Sequence, residues 1–148
     1  MGMSSAGFEV TANVLIPGRA AGAALVLTDT LSFWGGFDPQ TGEIIDVHHP
    51  QYRQRVGGSI LIIPESRGSA GTPGGIAETL RNGSGPRAFV LGERDVNISV
   101  GALVANRLYD LSIPVLEIAP RAMSRIKRGD QIEIDLEGTI LVNPQAGW

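Results

Sequence analysis

The sequence contains no cysteine among its 148 residues. The chain therefore forms no disulfide, offers no thiolate nucleophile and cannot by itself hold an iron–sulfur cluster ligated only by cysteines. It has no apolar run that approaches the ~20 residues of a membrane-spanning helix. Residues 1–7 also lack the basic and apolar segments of a secretion signal. We therefore expect a cytoplasmic protein that does not contact a membrane.

An excess of positive charge is missing as well. The 12 lysines and arginines are outnumbered by 15 aspartates and glutamates, which gives a formal net charge of −3. Binding to a nucleic-acid backbone needs a clustered excess of Lys and Arg, so we expect no nucleic-acid partner. The length suits a single domain over residues 1–148, because a chain of this size supports one hydrophobic core.

Strand and helix patterns alternate through the middle of the chain. Periodic apolar residues predict helices at residues 73–81 and 97–108. In the second helix, Asn97 is the expected cap. The positions that we expect this helix to bury are Val100, Leu103, Val104 and Leu108. Short apolar runs predict strands at residues 8–10, 14–16, 23–27, 59–63, 88–91 and 114–118.

The end of the chain reads as a β-hairpin. Apolar and polar residues alternate from Gln131 to Leu136, and a second apolar run follows Gly138. Strands at both ends surround a middle in which three strands alternate with two helices. This order indicates an α/β fold with a mixed, barrel-like sheet whose middle strands are parallel, and not a doubly wound sheet.

A long irregular segment, residues 28–55, interrupts the strands. Loops of this length in a compact domain are usually functional or packed against a partner. Its two histidines, His48 and His49, are interpreted as solvated, because adjacent side chains on an extended chain point apart and do not chelate a metal together. Its aromatic residues form either a partner-facing wall or the packing beneath the loop. They are Phe33, Trp34 and Phe37.

The most informative segment is the glycine-rich run at residues 64–75, between a predicted buried strand and a predicted helix. Such a turn can present a small anion or a reactive hydroxyl at a helix N-terminus. It is not a phosphate-binding P-loop, because no lysine follows its glycines, and it lacks the dinucleotide-binding spacing. A tight strand-to-helix connection with purely structural glycines explains the composition equally well.

Two side chains of this run carry chemistry. Arg67 is a permanent cation that can form two hydrogen bonds to one carboxylate, although a surface pair with Glu65 is the simpler alternative. Ser69 is a weak nucleophile or base unless a cation, a helix N-terminus or a general base stabilises its alkoxide. Arg67 and the amides of the turn could supply part of that stabilisation.

Three stretches together resemble the small subunit of the aconitase X family. They are LSFWGGFDPQTGEIID from Leu31 to Asp46, the strand that begins at Gly58, and the triplet Arg67-Gly68-Ser69. The resemblance implies a swivelling β/β/α barrel-like domain, similar to the C-terminal domain of aconitase, that pairs with an aconitase X large subunit. That subunit would hold iron or an iron–sulfur cluster, and this chain would bind no metal or cofactor.

The resemblance also implies an activity. Members of this family are hydro-lyases that dehydrate a small carboxylate substrate, either cis-3-hydroxy-L-proline or mevalonate 5-phosphate, and their proton-abstracting serine falls on Ser69. The residues after Ser69 depart from the Gly-Ser-Thr-Val-Gly-Ser-Tyr pattern of archaeal members, which favours cis-3-hydroxy-L-proline, with Δ1-pyrroline-2-carboxylate as the product. Substrate binding is expected of Arg67 and of the turn at Gly68, Ala70, Gly71 and Thr72.

Two other functions stay open. A catalytically inert subunit with a structural glycine turn predicts that Ser69→Ala leaves the assembled enzyme active. A phosphohistidine carrier is the second alternative, because some swivelling domains carry phosphate on a histidine. Those domains present Gly-Gly-x-x-Ser-His, however, and here Gly36 is followed by Phe37.

Overall fold

The computed structural model describes residues 6–33, 35–65 and 71–145. Its elements follow in chain order: β1 (Phe8–Thr11), β2 (Asn13–Ile16), β3 (Ala20–Val26), β4 (Phe37–Asp38), β5 (Glu43–Ile44), β6 (Ile60–Ile63), α1 (Thr72–Arg81), β7 (Ala88–Leu91), α2 (Val96–Tyr109), β8 (Val115–Glu117), α3 (Pro120–Met123), β9 (Gln131–Ile134) and β10 (Thr139–Asn143).

One large sheet dominates the described part of the chain. Its eight strands lie in the order β1-β10-β9-β3-β6-β7-β8-β2. The four neighbours β3, β6, β7 and β8 are parallel, and the other pairs are antiparallel. This arrangement confirms the predicted mixed sheet with a parallel middle, and the antiparallel β9–β10 pair confirms the predicted hairpin.

The two ends of this sheet are joined by a single residue. Thr11, the last residue of β1, pairs with Thr139 on β10, whereas Asn13, the first residue of β2, pairs with Glu117 on β8. Ala12 alone links them. Because strands at opposite ends of the order are one residue apart, the sheet has to curl until its ends meet. The predicted barrel-like shape is therefore confirmed.

The two faces of β6 show how the layers are built. Successive side chains of a strand point to opposite faces. Ile60 and Ile62 belong to a cluster inside the barrel with β9 and β10, while Leu61 and Ile63 belong to a cluster beneath α1 and α2. All four are buried. This alternation produces two β layers and one helical layer, as the β/β/α expectation requires.

Helix α2 forms where predicted but buries a different face. The expected core positions are all substantially exposed: Val100, Leu103, Val104 and Leu108. The buried residues are instead Ile98, Gly101, Ala102 and Ala105. The prediction was wrong because it weighed hydrophobicity without size. A Cβ at Gly101 would lie 2.7 Å from the Cβ of Ile76, so only small side chains allow α2 to approach α1 this closely.

The cap of α2 also differs from the prediction. The carboxylate of Asp95 accepts a hydrogen bond of 3.1 Å from the amide of Ile98, so Asp95 and not Asn97 is the N-cap. Asp95 has extended backbone angles, which is the usual geometry of an N-cap residue.

The aromatic residues of the irregular segment belong to the core. Phe33 and Phe37 are both buried, with ring centroids 5.4 Å apart in an edge-to-face arrangement, and Phe33 also contacts Phe89 at 6.3 Å. Packing beneath the loop is therefore confirmed for these two residues, and the partner-facing alternative is wrong for them. Trp34 lies outside the described residues.

Candidate functional site

A cavity of about 770 Å³ opens at the carboxyl ends of the parallel strands. Both open and barrel-shaped α/β folds commonly bind ligands at the carboxyl ends of their parallel strands. The cavity is lined by residues that end or follow four strands and by the loop after α3. These are Val26 and Thr28 after β3, Pro64 and Glu65 after β6, Gly92 and Glu93 after β7, and Pro120, Met123, Ser124, Ile126, Lys127 and Arg128 after β8. Pro50 and Gln51 complete the wall.

The first two residues of the glycine-rich run lie at the same edge. Strand β6 ends at Ile63 and α1 begins at Thr72, so the connection starts with Pro64 and Glu65 in the cavity wall. Ser69 lies outside the described residues, as do Arg67, Gly68 and Ala70. The roles predicted for these four residues stay predictions.

The beginning of α1 agrees with the sequence pattern. Gly71 is the N-cap, and a proline occupies the first turn, as predicted from the Thr72-Pro73 pair. The Thr72 side chain is completely buried, and its Oγ1 has no hydrogen-bond partner among the residues that the structure describes. Substrate binding by Gly71 and Thr72 stays a prediction.

A buried His–Gln pair braces the end of β3. The Gln51 side-chain amide donates to the Val26 carbonyl at 2.9 Å, and its Oε1 accepts from the amide of Thr28 at 3.0 Å. The amide of Gln51 in turn donates to His49 Nδ1 at 3.0 Å, and His49 Nε2 lies 3.3 Å from the carbonyl oxygen of Asp29. This pairing places the proton on Nε2. The pair therefore fixes two residues that line the cavity.

The two histidines differ in their exposure to solvent. His48 is exposed, in agreement with the solvated interpretation, but only 5% of His49 is exposed. The interpretation is wrong for His49, because its ring is held by the backbone of Asp29, in the loop after β3, and by the backbone of Gln51. Sequence reasoning also missed Gln51, since no local signal marks a glutamine that bonds to a strand 25 residues earlier.

A second brace fixes the loop between α3 and β9. The buried Asp130 carboxylate accepts hydrogen bonds from the amides of Lys127 at 2.8 Å and Gln145 at 3.1 Å. Gly129 has a φ of +89°, a conformation that favours glycine, and its amide donates to the Ala24 carbonyl at 2.9 Å. The Ala24 amide returns a bond of 2.8 Å to the Asp130 carbonyl. The loop is thus tied to β3.

Charges of both signs surround the cavity. Glu65 and Glu93 lie in its wall together with Lys127 and Arg128. Just beyond this wall, Glu117 accepts hydrogen bonds from Asn13 at 3.1 Å and from Arg94 at 3.3 Å. The bond from Asn13, with a smaller contribution from Arg94, lowers the pKa of Glu117 below its ordinary value. The four charged side chains of the cavity wall allow the site to bind a small charged molecule.

The described residues show neither a metal-binding cluster nor a membrane-spanning helix. No group of three or more His, Asp or Glu side chains within residues 6–33, 35–65 and 71–145 is arranged to hold a metal ion. Over the same residues, no helix has the length and apolar character needed to cross a membrane. The predicted cytoplasmic location stays a prediction.

The profile of the aconitase X swivel domain family matches residues 9–142. The chain belongs to this family. A crystal structure of aconitase X from Thermococcus kodakaraensis in its holo-form is similar, with a TM-score of 0.81 and 26% identity over 91% of this chain and 98% of that one. The swivelling β/β/α fold and the resemblance to aconitase X are thereby confirmed.

Relatives of this swivel domain bear two functional names. A cis-3-hydroxy-L-proline dehydratase of Hypocrea jecorina is 39% identical over 104 residues, which are 70% of this chain and 17% of that protein. A phosphomevalonate dehydratase small subunit of Methanocella arvoryzae is 32% identical over 128 residues, 86% of this chain and 92% of that subunit. This chain therefore spans about a sixth of the first relative and nearly the whole of the second.

Proposed function

We propose that this chain, with residues 1–148 as one domain, is the small subunit of a hydro-lyase that dehydrates cis-3-hydroxy-L-proline. Identities of 39% and 37% to two cis-3-hydroxy-L-proline dehydratases, against 28% to 36% to phosphomevalonate dehydratase small subunits, support the choice of substrate. The departure of the residues after Ser69 from the archaeal pattern points the same way.

The proposed partner is an aconitase X large subunit. The Hypocrea relative is far longer than this chain, which matches only 17% of it, and the Methanocella relative is named a small subunit. Both observations support a second polypeptide that supplies the rest of the enzyme. Activity would require both subunits, because the cavity is open on this chain and the large subunit would complete its wall.

Iron or an iron–sulfur cluster in the assembled enzyme would belong to the large subunit. The sequence has no cysteine, and the described residues contain no group of His, Asp or Glu side chains that fits a metal ion. No step on this chain is therefore assigned to a metal.

In the proposed reaction Ser69 acts as the base. Its oxygen, as the alkoxide, takes the proton from C2, next to the carboxylate, and the electron pair of the C2–H bond forms the C2–C3 double bond. The C3–O bond breaks, the hydroxyl leaves as water with a proton from solvent, and Ser69 returns its own proton to solvent. The resulting enamine tautomerises to Δ1-pyrroline-2-carboxylate. Arg67 and the amides at Gly68, Ala70, Gly71 and Thr72 would stabilise the serine oxygen or the substrate carboxylate at the edge where α1 begins.

Co-expression with an aconitase X large subunit tests the function. The purified complex is assayed for loss of water from cis-3-hydroxy-L-proline and from mevalonate 5-phosphate. Dehydration of the first compound supports the proposal, and dehydration of the second alone would overturn it in favour of the phosphomevalonate enzyme.

A serine variant then tests the mechanism. Ser69→Ala should abolish turnover, whereas Ser66→Ala in the same loop should retain it, and both variants should still bind the large subunit. Near-normal kcat for the Ser69 variant would remove Ser69 from the mechanism and favour the inert-subunit alternative.

A further inference from the structure

The cavity wall contains two basic side chains on a fixed loop. Lys127 and Arg128 follow α3, and both line the cavity at the carboxyl ends of β3, β6 and β7. Among the described residues, no other lysine or arginine lines the cavity. Both are exposed, so a ligand that enters the cavity can reach them.

The backbone beneath these two residues is anchored from three sides. The buried carboxylate of Asp130 binds the amides of Lys127 and Gln145, and paired backbone bonds join Gly129 and Asp130 to Ala24 on β3. Met123 and Ile126, which flank the turn after α3, are buried inside the barrel. Because the backbone is held in this way, binding a ligand would require ordering only the two side chains and not the loop, which lowers the entropic cost of binding.

The remaining charges of the wall indicate what kind of ligand fits. Glu65 and Glu93 line the same cavity, so its described charges are two positive and two negative. A phosphorylated carboxylate would bring several negative charges close to both glutamates. An amino acid zwitterion presents one carboxylate and one ammonium, and so finds partners of opposite sign on one wall.

We propose that Lys127 and Arg128 bind the carboxylate of the substrate, and that this wall selects a small zwitterion over a phosphorylated anion. The inference rests on the proposed function, because it concerns the same cavity and the same reaction. Arg128 can form two parallel hydrogen bonds to a carboxylate, and the Lys127 ammonium adds a point charge. Lys127 Nζ donates one hydrogen bond, to the Ser124 carbonyl at 2.9 Å, which leaves donors for a ligand.

The test combines a charge change on the protein with a charge change on the ligand. The assembled enzyme carries Lys127→Met with Arg128→Gln, or Arg128→Lys alone as the conservative variant. Arg121→Gln is the matched control, because Arg121 is an exposed cation on α3 outside the cavity wall. Calorimetry measures the binding of pyrrole-2-carboxylate and of its uncharged amide, pyrrole-2-carboxamide. Kinetics with cis-3-hydroxy-L-proline give KM and kcat.

The wild-type complex should prefer the carboxylate over the amide by about tenfold to a hundredfold, the effect of a hydrogen-bonded charge pair. The double variant should lose this preference and raise KM by a similar factor with kcat little changed. Arg128→Lys should retain part of the preference, and Arg121→Gln all of it. A double variant that keeps both the preference and the wild-type KM would overturn the inference, as would a wild-type complex without any preference.

Failure of the inference differs from failure of the proposed function. A wild-type complex that dehydrates cis-3-hydroxy-L-proline while the double variant matches it in KM and in binding refutes only the carboxylate assignment. A wild-type complex that does not dehydrate this compound refutes the proposed function. The carboxylate preference of the double variant then still decides whether Lys127 and Arg128 recognise an anion.

Discussion

The side chain of Gln51 holds the end of β3 by donating to the Val26 carbonyl at 2.9 Å. Gln51 belongs to the long irregular segment, and its Oε1 accepts from Thr28 in the same cavity wall. The buried Gln51 side chain thus supplies hydrogen bonds at the end of β3, where pairing with a neighbouring strand stops. The irregular segment acts as a structural support of the cavity.

We expect Gln51→Leu to lower the free energy of unfolding by about 1–3 kcal/mol, because the part-buried backbone groups of Val26 and Thr28 would lose their hydrogen-bond partner. Gln131→Leu is the control, since Gln131 is exposed on β9 and should change stability by no more than about 0.5 kcal/mol. Urea unfolding of both variants measures the difference. Equal effects would show that the Gln51 bonds do not stabilise the fold.

Replacing each of two glycines by alanine should change stability in opposite directions, because only one of them lies in the contact between α1 and α2. A Cβ at Gly101 would meet the Cβ of Ile76 at 2.7 Å and the carbonyl oxygen of Pro73 at 2.9 Å, so Gly101→Ala should cost about 1–3 kcal/mol through overpacking. A Cβ at Gly74 would meet nothing within 4 Å. Gly74→Ala should therefore stabilise α1 by about 0.5–1 kcal/mol. Thermal unfolding of the two variants checks the sign of each change, and a stabilising Gly101→Ala would contradict the packing described.

The buried face of α2 can be tested within the same helix. Ile98 is completely buried beneath the helical layer, and Ile98→Ala should lower the free energy of unfolding by about 2–5 kcal/mol. Leu103 is 43% exposed, and Leu103→Ala should cost less than about 1 kcal/mol. Denaturant midpoints of both variants decide the matter. A larger loss of stability for Leu103→Ala than for Ile98→Ala would contradict the buried face of the structure and favour the face that hydrophobicity alone predicts.

The pH dependence of stability should include a contribution from Glu117. Its hydrogen bond from Asn13, assisted by Arg94, lowers the pKa of the carboxyl in the folded chain. The resulting stabilisation is present above the pKa of the unfolded chain, and it is lost as the pH falls through the folded value. Asn13→Ala should raise the Glu117 pKa toward its ordinary value, as followed by carbon NMR titration. Asn143→Ala, at an exposed asparagine on β10, should leave it unchanged.

Sequence patterns predicted the strands well and the buried face of α2 poorly, for a physical reason. The apolar run of residues 88–91 could only be a buried strand, and β7 occupies those residues. In α2, however, both the inner and outer faces carry apolar residues, and the close approach of Gly101 to Ile76 selects the small ones. That approach is a property of two helices together, which no single helical pattern contains.

The site could be predicted only in part. The glycine-rich run was recognisable because strand, turn and helix signals follow one another directly. The rest of the wall comes from segments far apart in the chain. Thr28 and Glu93 follow two strands of the same parallel set, whereas Lys127 lies in the loop that Gly129 and Asp130 tie to β3. No sequence pattern marked Asp130, because its hydrogen bonds from Lys127 and Gln145 exist only in the folded chain.

The single-residue link at Ala12 sets the order in which the chain can fold. Strand β1 pairs with β10, so Phe8 finds its partner, Val142, only after all the other strands have been made. A ribosome releases the first strand long before the last one, and such distant pairings form late because loop closure costs entropy. During synthesis β1 therefore stays unpaired until residues 139–143 have emerged, and the barrel can close only then.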